Sequence, residues 1–343
     1  MIHRFFYLTL SISLVLLTAC EEKNHISKDL VYSGFTMGTS YTVKISDADI
    51  NELKDKLRKE IESILDDINQ QMSTYITDSE LSLLNKSHSN DWIKLSLALF
   101  QIIERAIQVS QLSSGAFDIT SGPIVNLWGF GPAKSLSVIP SKDEIQRTLA
   151  KVGYQQLKLD KTTHSIKKLI PEIYIDLSGI AKGYGVDRVA AYLQEMSLQH
   201  FMVEIGGEIK AQGKNDEGTG WRIGIEKPLA DQRRIQQIIT LDNIGMATSG
   251  DYHNYFELKG KRYSHTFDPK TGMPVSHNLA SITVLHNSTT FADAMATALL
   301  VMGPEQAYAL ATKINLAAYL IIHKGDTFEQ RYTNAFTPYL VKQ

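Results

Sequence analysis

The 343-residue sequence contains a single cysteine, Cys20, so an internal disulfide is excluded and so is a cysteine-ligated metal site. The sequence also lacks an excess of basic residues, because 35 Lys and Arg oppose 37 Asp and Glu. Proteins that hold nucleic acid need a basic surface for the phosphates, and we therefore expect no nucleic-acid partner. Repeats and low-complexity tracts are absent, and 43% hydrophobic residues predict a globular protein.

The N-terminal segment differs from the rest of the chain. A short polar start is followed by the mainly apolar run Phe5–Leu17, which has the length of a signal peptide and is too short to span a membrane comfortably. The run ends in LTAC, small residues before Cys20, as in bacterial lipoprotein signals. We expect a signal peptide over residues 1–19 and a lipid on Cys20. The alternative is an ordinary secretory signal that happens to contain a cysteine.

The remaining chain divides into a polar tether at 20–29 and one large domain at 30–343. Helices and strands segregate along it, with helical periodicity early and strand-like segments later, which predicts an α+β fold with antiparallel or mixed sheets. The predicted helices cover 47–72, 95–112, 141–153, 289–303 and a segment from Pro304; the predicted strands cover 30–46 (two strands and a turn), 156–170 (a hairpin), 173–176, much of 200–286 and 316–332 (a hairpin). The glycine-rich and aromatic stretch 115–132 fits neither pattern.

The segment FADAMATALL carries two oxygen-bearing side chains on one helical face. Asp293 and Thr297 are four residues apart, so they project from the same side of the predicted helix. Magnesium prefers hard oxygen ligands and keeps positions for water and phosphate, which an open pair of this kind would suit. The alternative is that Asp293 caps the helix and Thr297 packs in the core.

The segment DLSGIAKGYGVD reads as a strand, a glycine-rich bend and a helix. Gly179 and Gly183 allow close approach of a ligand, and the N-terminus of the following helix favours anions such as phosphate. Lys182 is a candidate phosphate partner, although the segment is neither a P-loop nor a G-x-G-x-x-G motif. The alternative is a tight helix–sheet junction with a solvated Lys182.

The segment YSHTFDPKTGMP places His265 three residues before an Asp268–Pro269 turn that closes through Lys270–Gly272. A histidine titrates near neutrality and can act as a general base or acid. On local spacing alone, His265 is either a catalytic group or a polar residue at the end of a strand.

Taken in order, nine segments resemble the ApbE family, the FAD:protein FMN transferases formerly described as thiamine-biosynthesis lipoproteins. The resemblance extends over essentially the whole chain after the N-terminal segment. The segments are TMGTSY (36–41), STY (73–75), GAFDIT (115–120), GPIVNLWGFG (122–131), DLSGIAKGYGVD (176–187), VEIGGEI (203–209), TSGDY (248–252), SHTFDPKTGMPV (264–275) and ADAMATALLVMG (292–303).

The resemblance implies a magnesium-dependent reaction in which FAD is split at its pyrophosphate, FMN is attached to a threonine of an acceptor protein and AMP leaves. It implies acceptors of the Nqr and Rnf type, which expose a threonine motif outside the cytoplasm. It also implies a lipid-anchored protein on the periplasmic face of the inner membrane. Glu21 is not the aspartate that is often linked to inner-membrane retention, so the sorting signal leaves the choice of membrane open.

The resemblance also assigns roles to residues. Asp293, Thr297 and the carbonyl of Gly179 correspond to magnesium ligands, and Ala296 stands where some relatives carry a second acidic ligand. His265 corresponds to the proposed proton acceptor. The flavin contacts implied in this way are Met37, Tyr75, Ala116, Phe117, Asp118, Asp176, Lys182 and Phe267, for which core packing is the alternative.

Two other functions fit the same pattern. Water in place of the threonine would make the protein an FAD pyrophosphatase that yields FMN and AMP. A flavin-binding lipoprotein without turnover would act as a store or carrier, although such a protein needs neither a metal site nor a base.

Overall fold

A computed structural model describes residues 29–47, 50–131, 139–229, 234–250, 255–258, 261–264 and 266–341. Cys20 and His265 therefore lie outside the described residues. The eight helices found in these ranges are α1 (Lys54–Met72), α2 (Glu80–Lys86), α3 (Leu97–Leu112), α4 (Gly122–Leu127), α5 (Lys142–Leu149), α6 (Ala181–Glu195), α7 (Thr289–Met302) and α8 (Pro304–Lys313).

The strands of the described residues are mostly short and join in antiparallel pairs. They are β1 (Leu30–Thr36), β2 (Thr39–Ile45), β3 (Ile93–Lys94), β4 (Leu157–Asp160), β5 (Ser165–Lys168), β6 (Phe201–Ile205), β7 (Glu208–Gln212), β8 (Trp221–Glu226), β9 (Ile235–Leu241), β10 (Ile244–Gly250), β11 (Tyr255–Leu258), β12 (Lys261–Ser264), β13 (Phe267–Asp268), β14 (Met273–Pro274), β15 (Leu279–His286), β16 (Ala317–Lys324) and β17 (Thr327–Tyr332). The predicted α+β class is confirmed.

An eight-stranded sheet in the order β1-β2-β6-β7-β10-β15-β16-β17 organises the molecule, and each neighbouring pair is antiparallel. Its β16 strand is buried on both faces, because alternate side chains enter different cores. Ala318, Leu320 and Ile322 pack in the core that α7 shares. Ala317, Tyr319 and Ile321 pack on the opposite face, under the β8–β9 hairpin. This double burial explains why β16 reads as a continuous apolar run.

Helix α7 is buried on nearly all sides, between the sheet and helices α3, α6 and α8. Its apolar composition fits such a position, since a helix surrounded by protein needs no polar face. The helix ends at Gly303, where φ is +77°, and Pro304 then starts α8 at a position that proline favours. Solvent exposure therefore does not explain a polar side chain on α7 such as Asp293.

Several predicted boundaries differ from the structure. The first long helix begins at Lys54 rather than at 47, and α5 ends at Leu149 rather than at 153. The stretch 115–132 contains a helix, α4. The strand predicted at 173–176 is wrong: the N–H of Ile175 donates to Asn85 Oδ1 and that of Asp176 donates to Ile119 O, so no strand ladder forms.

Within the described ranges, no helix has the length and apolar character that crossing a membrane would require.

Candidate functional site

Helices α6 and α7 meet closely at the first turn of α6, and we call this contact the α6–α7 junction. The N–H of Gly183 donates to Asp293 Oδ2 at 2.9 Å. A Cβ on residue 183 would lie 2.8 Å from the Cβ of Asp293 and closer still to the carbonyl oxygen of Thr289. Glycine at 183 therefore permits the contact that brings the first turn of α6 against the Asp293 carboxylate.

Asp187, on the same helix as Gly183, fixes the beginning of α7. Its carboxylate accepts hydrogen bonds from Ser288 Oγ (2.9 Å) and from the N–H groups of Thr289 and Thr290 (2.9 Å each). Burial raises the pKa of Asp187, but the ion pair with Lys210 and the hydrogen bonds from Thr290 and Thr289 outweigh it and lower the pKa below the ordinary value. Asp187 thus sets where α7 starts and, with it, where Asp293 and Thr297 lie.

Asp293 is 4% exposed and lies in the fifth position of α7. Burial raises the pKa of its carboxyl, while Lys182 and the Gly183 N–H lower it. Ser288, not Asp293, caps α7, because its side chain accepts the N–H of Phe291. The capping alternative for Asp293 is therefore wrong. Among the described residues, Gly183 alone donates a hydrogen bond to this carboxylate, which leaves Oδ1 available to a ligand.

Thr297 lies one turn further along α7 and faces the bend before α6. A Cβ on Gly179 would stand 3.4 Å from Thr297 Oγ1 and 3.1 Å from Phe117 Cε2, so the Gly179 backbone rests against both side chains. Ser249 Oγ, at the end of β10, lies 3.4 Å from the same hydroxyl. Carboxylate, hydroxyl and backbone oxygens are the donors that magnesium prefers, and the set fits a divalent cation.

These residues would form an open metal site, in which the protein supplies only some of the ligands. In the described part of the chain, no three His, Cys, Asp or Glu side chains cluster as metal ligands. Magnesium is commonly held by one or two carboxylates together with substrate phosphates and water, so one carboxylate at the α6–α7 junction suffices. Ala296 is buried in the main core and supplies no ligand.

Lys182 is paired, which contradicts the solvated alternative. Its Nζ lies 2.6 Å from Glu208 Oε2 at the start of β7. Burial lowers the pKa of Lys182, but the charges of Glu208 and Asp293 raise it, with a net increase. Burial raises the pKa of Glu208, although Lys182 opposes this. The ammonium of Lys182 thus pairs with Glu208 and is also under the influence of the Asp293 charge.

Other predicted flavin residues border the junction. Met37 occupies a left-handed position (φ +51°) in the β1–β2 turn, and its Cε would lie 3.0 Å from a Cβ on Gly185 of α6. Phe117 contacts the Gly179 bend as described above. Asp176 precedes that bend, and its carboxylate accepts the N–H of Ser178 at 2.9 Å. Met37, Phe117 and Asp176 therefore lie around one end of α6.

The remaining predicted flavin residues belong to other elements of the fold. Tyr75 follows α1 and is 71% exposed. Phe267 is buried beside Trp128 and Phe130, with ring centroids 5.8 and 5.7 Å apart, in a small separate core. Its strand, β13, nevertheless contacts α7.

Asp118 is also buried, and its carboxylate is occupied within the protein. It accepts hydrogen bonds from Thr120 N (2.8 Å), Thr120 Oγ1 (2.7 Å) and Tyr154 N (2.9 Å). Burial raises the pKa of Asp118, and these hydrogen bonds only partly offset it. Asp118 lines a cavity of about 250 Å³ together with Gly115, Tyr154 and Lys270. The neighbouring Ala116 is buried.

Two sequence predictions concern the His265 segment. The Asp268–Pro269 turn forms as expected, because Asp268 accepts the N–H of Lys270 at 2.9 Å and its carbonyl accepts that of Gly272 at 2.8 Å. His265 itself is outside the described residues, as is Cys20, and their roles stay predictions.

The structure adds three residues that the sequence did not single out: Glu208, Asp187 and Ser249. Each belongs to one of the nine segments, in VEIGGEI, DLSGIAKGYGVD and TSGDY, so the sequence motifs could have marked these residues as candidates. Their contacts were not, because Glu208 meets Lys182 and Asp187 meets Ser288 only through tertiary packing.

Comparison with known proteins shows which family the chain belongs to. The model of the ApbE family matches residues 37–320. FAD:protein FMN transferase from Haemophilus influenzae is 46% identical over 325 residues, which cover 93% of each chain. FAD:protein FMN transferase from Vibrio cholerae is 44% identical over 331 residues, which cover 96% of this chain and 97% of the relative.

Solved structures agree in fold. The flavin transferase ApbE from Vibrio cholerae superposes with a TM-score of 0.85 at 42% identity and covers 92% of this chain and 100% of the other. The apo flavinyl transferase ApbE from Pseudomonas stutzeri gives a TM-score of 0.84 at 38% identity and covers 92% and 97%. These matches identify the chain as an enzyme of the transferase class. More narrowly, the chain belongs to the ApbE family.

Proposed function

We propose that this protein is an FAD:protein FMN transferase. It would cleave FAD at the pyrophosphate, attach FMN through a phosphoester bond to a threonine of an acceptor protein and release AMP. The name of its full-length relatives supports this proposal. The observation that carries it is the α6–α7 junction, where Asp293, Thr297, Gly179 and Lys182 surround one end of α6.

The reaction moves a phosphoryl group between two oxygens. The acceptor hydroxyl would attack the phosphorus on the FMN side of the pyrophosphate, forming one P–O bond as the P–O bond to AMP breaks. The proton of the hydroxyl needs an acceptor, and we assign this role to His265. Because the pyrophosphate is doubly anionic, the site must place positive charge against it.

The residues of the junction would supply that charge. Asp293, Thr297 and Gly179 would hold Mg²⁺, which acts as a Lewis acid on phosphate oxygens when bound. Lys182 would contact a phosphate directly, and the N–H groups in the first turn of α6 favour an anion. A low-dielectric, partly buried location strengthens these attractions.

The flavin would occupy the space bordered by Met37, Phe117 and Asp176, where a thioether and an aromatic face suit a planar ring. Tyr75, exposed as it is, would cover the outer side of the ring. We assign further flavin contacts to Ala116, Asp118 and Phe267. Ala116 and Asp118 are the chain neighbours of Phe117, which contacts the Gly179 bend. Phe267 lies in β13, which contacts α7.

We further propose that residues 1–19 form a signal peptide, that Cys20 carries a lipid and that 20–29 tether the domain 30–343 to the periplasmic face of the inner membrane. The charged start, the apolar run and the LTAC site support this proposal. The acceptors would then be extracytoplasmic subunits of the Nqr or Rnf type that carry a threonine motif.

The test uses the full chain with FAD, Mg²⁺ and a peptide that carries the acceptor threonine motif. Mass spectrometry of the peptide should show the gain of one FMN, and a peptide with alanine in place of the threonine should stay unmodified. Asp293→Ala should abolish the gain, whereas the matched control Asp326→Ala, in the exposed β16–β17 turn, should not. Release of FMN and AMP with an unmodified peptide would instead identify a pyrophosphatase, and intact FAD would indicate a carrier or the wrong acceptor.

A further inference from the structure

Glu208 is a buried carboxylate that the proposed reaction does not use. It is 2% exposed and begins β7, directly after the Gly206–Gly207 turn. A buried carboxylate is normally tolerated only when it is paired. Lys182 provides that partner at 2.6 Å, while Lys182 is also the residue expected to contact the substrate phosphate.

The side chain of Lys182 passes over a glycine to reach Glu208. Gly206 adopts φ +59°, and a Cβ there would lie 3.2 Å from Lys182 Cδ. The backbone of Lys182 is next to Gly183, whose N–H donates to Asp293. A flexible four-carbon side chain that starts so close to Asp293 could turn from Glu208 toward Asp293.

Pairing of Lys182 with Glu208 and pairing with Asp293 would have opposite consequences for a cation site at Asp293. Lys182 already interacts with the Asp293 charge, which raises the pKa of the lysine. If the Glu208 carboxylate were absent, Asp293 would be the buried carboxylate with which the Lys182 ammonium could form an ion pair. An ion pair between them would compete with a divalent cation for the same oxygen atoms.

From this geometry we infer that Glu208 is a positioning residue that holds Lys182 away from Asp293 and so keeps the Asp293 carboxylate free for a divalent cation. The inference rests on the proposed function, in which Asp293 is a magnesium ligand. It assigns to the ion pair a role different from fastening the β6–β7 turn to α6, which is what a purely structural pair would do.

The experiment is a calorimetric titration of the metal-free full chain with MgCl₂, without FAD. Glu208→Gln keeps the shape of the side chain and removes its charge, and it should weaken Mg²⁺ binding by about tenfold, because a buried competing ion pair must then be broken. Lys182→Met in the Glu208→Gln background removes the competing cation and should restore the affinity to that of Lys182→Met alone. Glu204→Gln is the matched control, since this carboxylate lies on the same hairpin and also acts on Lys182 through its charge, but its hydrogen bond comes from the N–H of Gly207.

The outcomes separate the inference from the function it rests on. Weakened binding in Glu208→Gln, rescue by Lys182→Met and little change in Glu204→Gln would support it. Unchanged binding in Glu208→Gln would overturn it, and so would a loss that Lys182→Met fails to rescue, which indicates a structural role only. Absence of Mg²⁺ binding to the unmodified chain would instead refute the proposed magnesium site.

Discussion

Gly183→Ala tests how closely the α6–α7 junction is packed. The added Cβ would lie 2.8 Å from both the Cβ of Asp293 and the carbonyl carbon of Thr289. Two of its three nearest atoms belong to the α7 backbone, which cannot rotate away as a side chain can. The two helices must therefore separate, and the bond from the Gly183 N–H to Asp293 lengthens or breaks.

The expected change in stability follows from three contributions. Overpacking a close contact costs about 1–3 kcal/mol. Leaving a buried carboxylate without its hydrogen bond costs about 1–3 kcal/mol more. Alanine recovers at most about 1 kcal/mol over glycine through its helix propensity. We expect Gly183→Ala to lose about 1–5 kcal/mol of unfolding free energy, since the two losses add and the gain in helix propensity offsets only part of them.

Urea unfolding followed by circular dichroism measures this difference, and Gly185→Ala is the matched control two residues along the same helix. A Cβ there would meet Met37 Cε at 3.0 Å and Ile205 Cδ1 at 3.1 Å, which are ends of flexible side chains. We expect a change within about 1 kcal/mol for the control. Equal midpoints for the two variants would refute the packing account of Gly183.

Three further variants test other parts of the site and its support. Thr297→Val should weaken Mg²⁺ binding in a calorimetric titration while Thr297→Ser preserves it, and equal affinities would argue against the hydroxyl as a ligand. Asp187→Asn should lower the unfolding free energy by about 1–3 kcal/mol at neutral pH. The pKa of Asp187 is lower in the folded protein than its ordinary value of about 3.9. The stability that the Asp187 carboxylate contributes is therefore complete above the ordinary pKa and is lost as the pH falls through the lower folded-state pKa. The urea midpoints of the unmodified protein and of Asp187→Asn should converge in acid. Lys168→Met should cost about 2–4 kcal/mol in urea unfolding, because the buried ammonium donates to the carbonyls of Leu84, Ser87 and Ile173, and a loss below 1 kcal/mol would show these carbonyls to be otherwise satisfied.

Local patterns predicted the parts of this protein that depend on local geometry. The side chains of Asp293 and Thr297 share a face because four residues make about one helical turn, and that spacing is visible in the sequence. The turn at Asp268 was predictable for the same reason, since its side chain bonds to the backbone two residues on. The boundaries of α1 and α5 were less predictable because helix ends respond to their surroundings.

Contacts between distant segments were beyond the reach of such patterns. The segment 173–176 has the composition of a strand, yet its N–H groups donate to Asn85 and Ile119 and no strand ladder forms. Likewise, the sequence left Lys182 as either a phosphate partner or a solvated side chain, and only the fold places Glu208, 26 residues further along the chain, beside it. Which carboxylate a lysine meets depends on packing and not on spacing.

The central claim is that FAD and a divalent cation meet at the α6–α7 junction. The most direct measurement is X-ray diffraction from crystals of the protein grown with FAD and Mn²⁺, which reports the cation through its anomalous signal. We expect an anomalous peak bounded by Asp293, Thr297 and the Gly179 carbonyl, with the FAD pyrophosphate beside Lys182. A peak elsewhere, or FAD bound away from this end of α6, would contradict it.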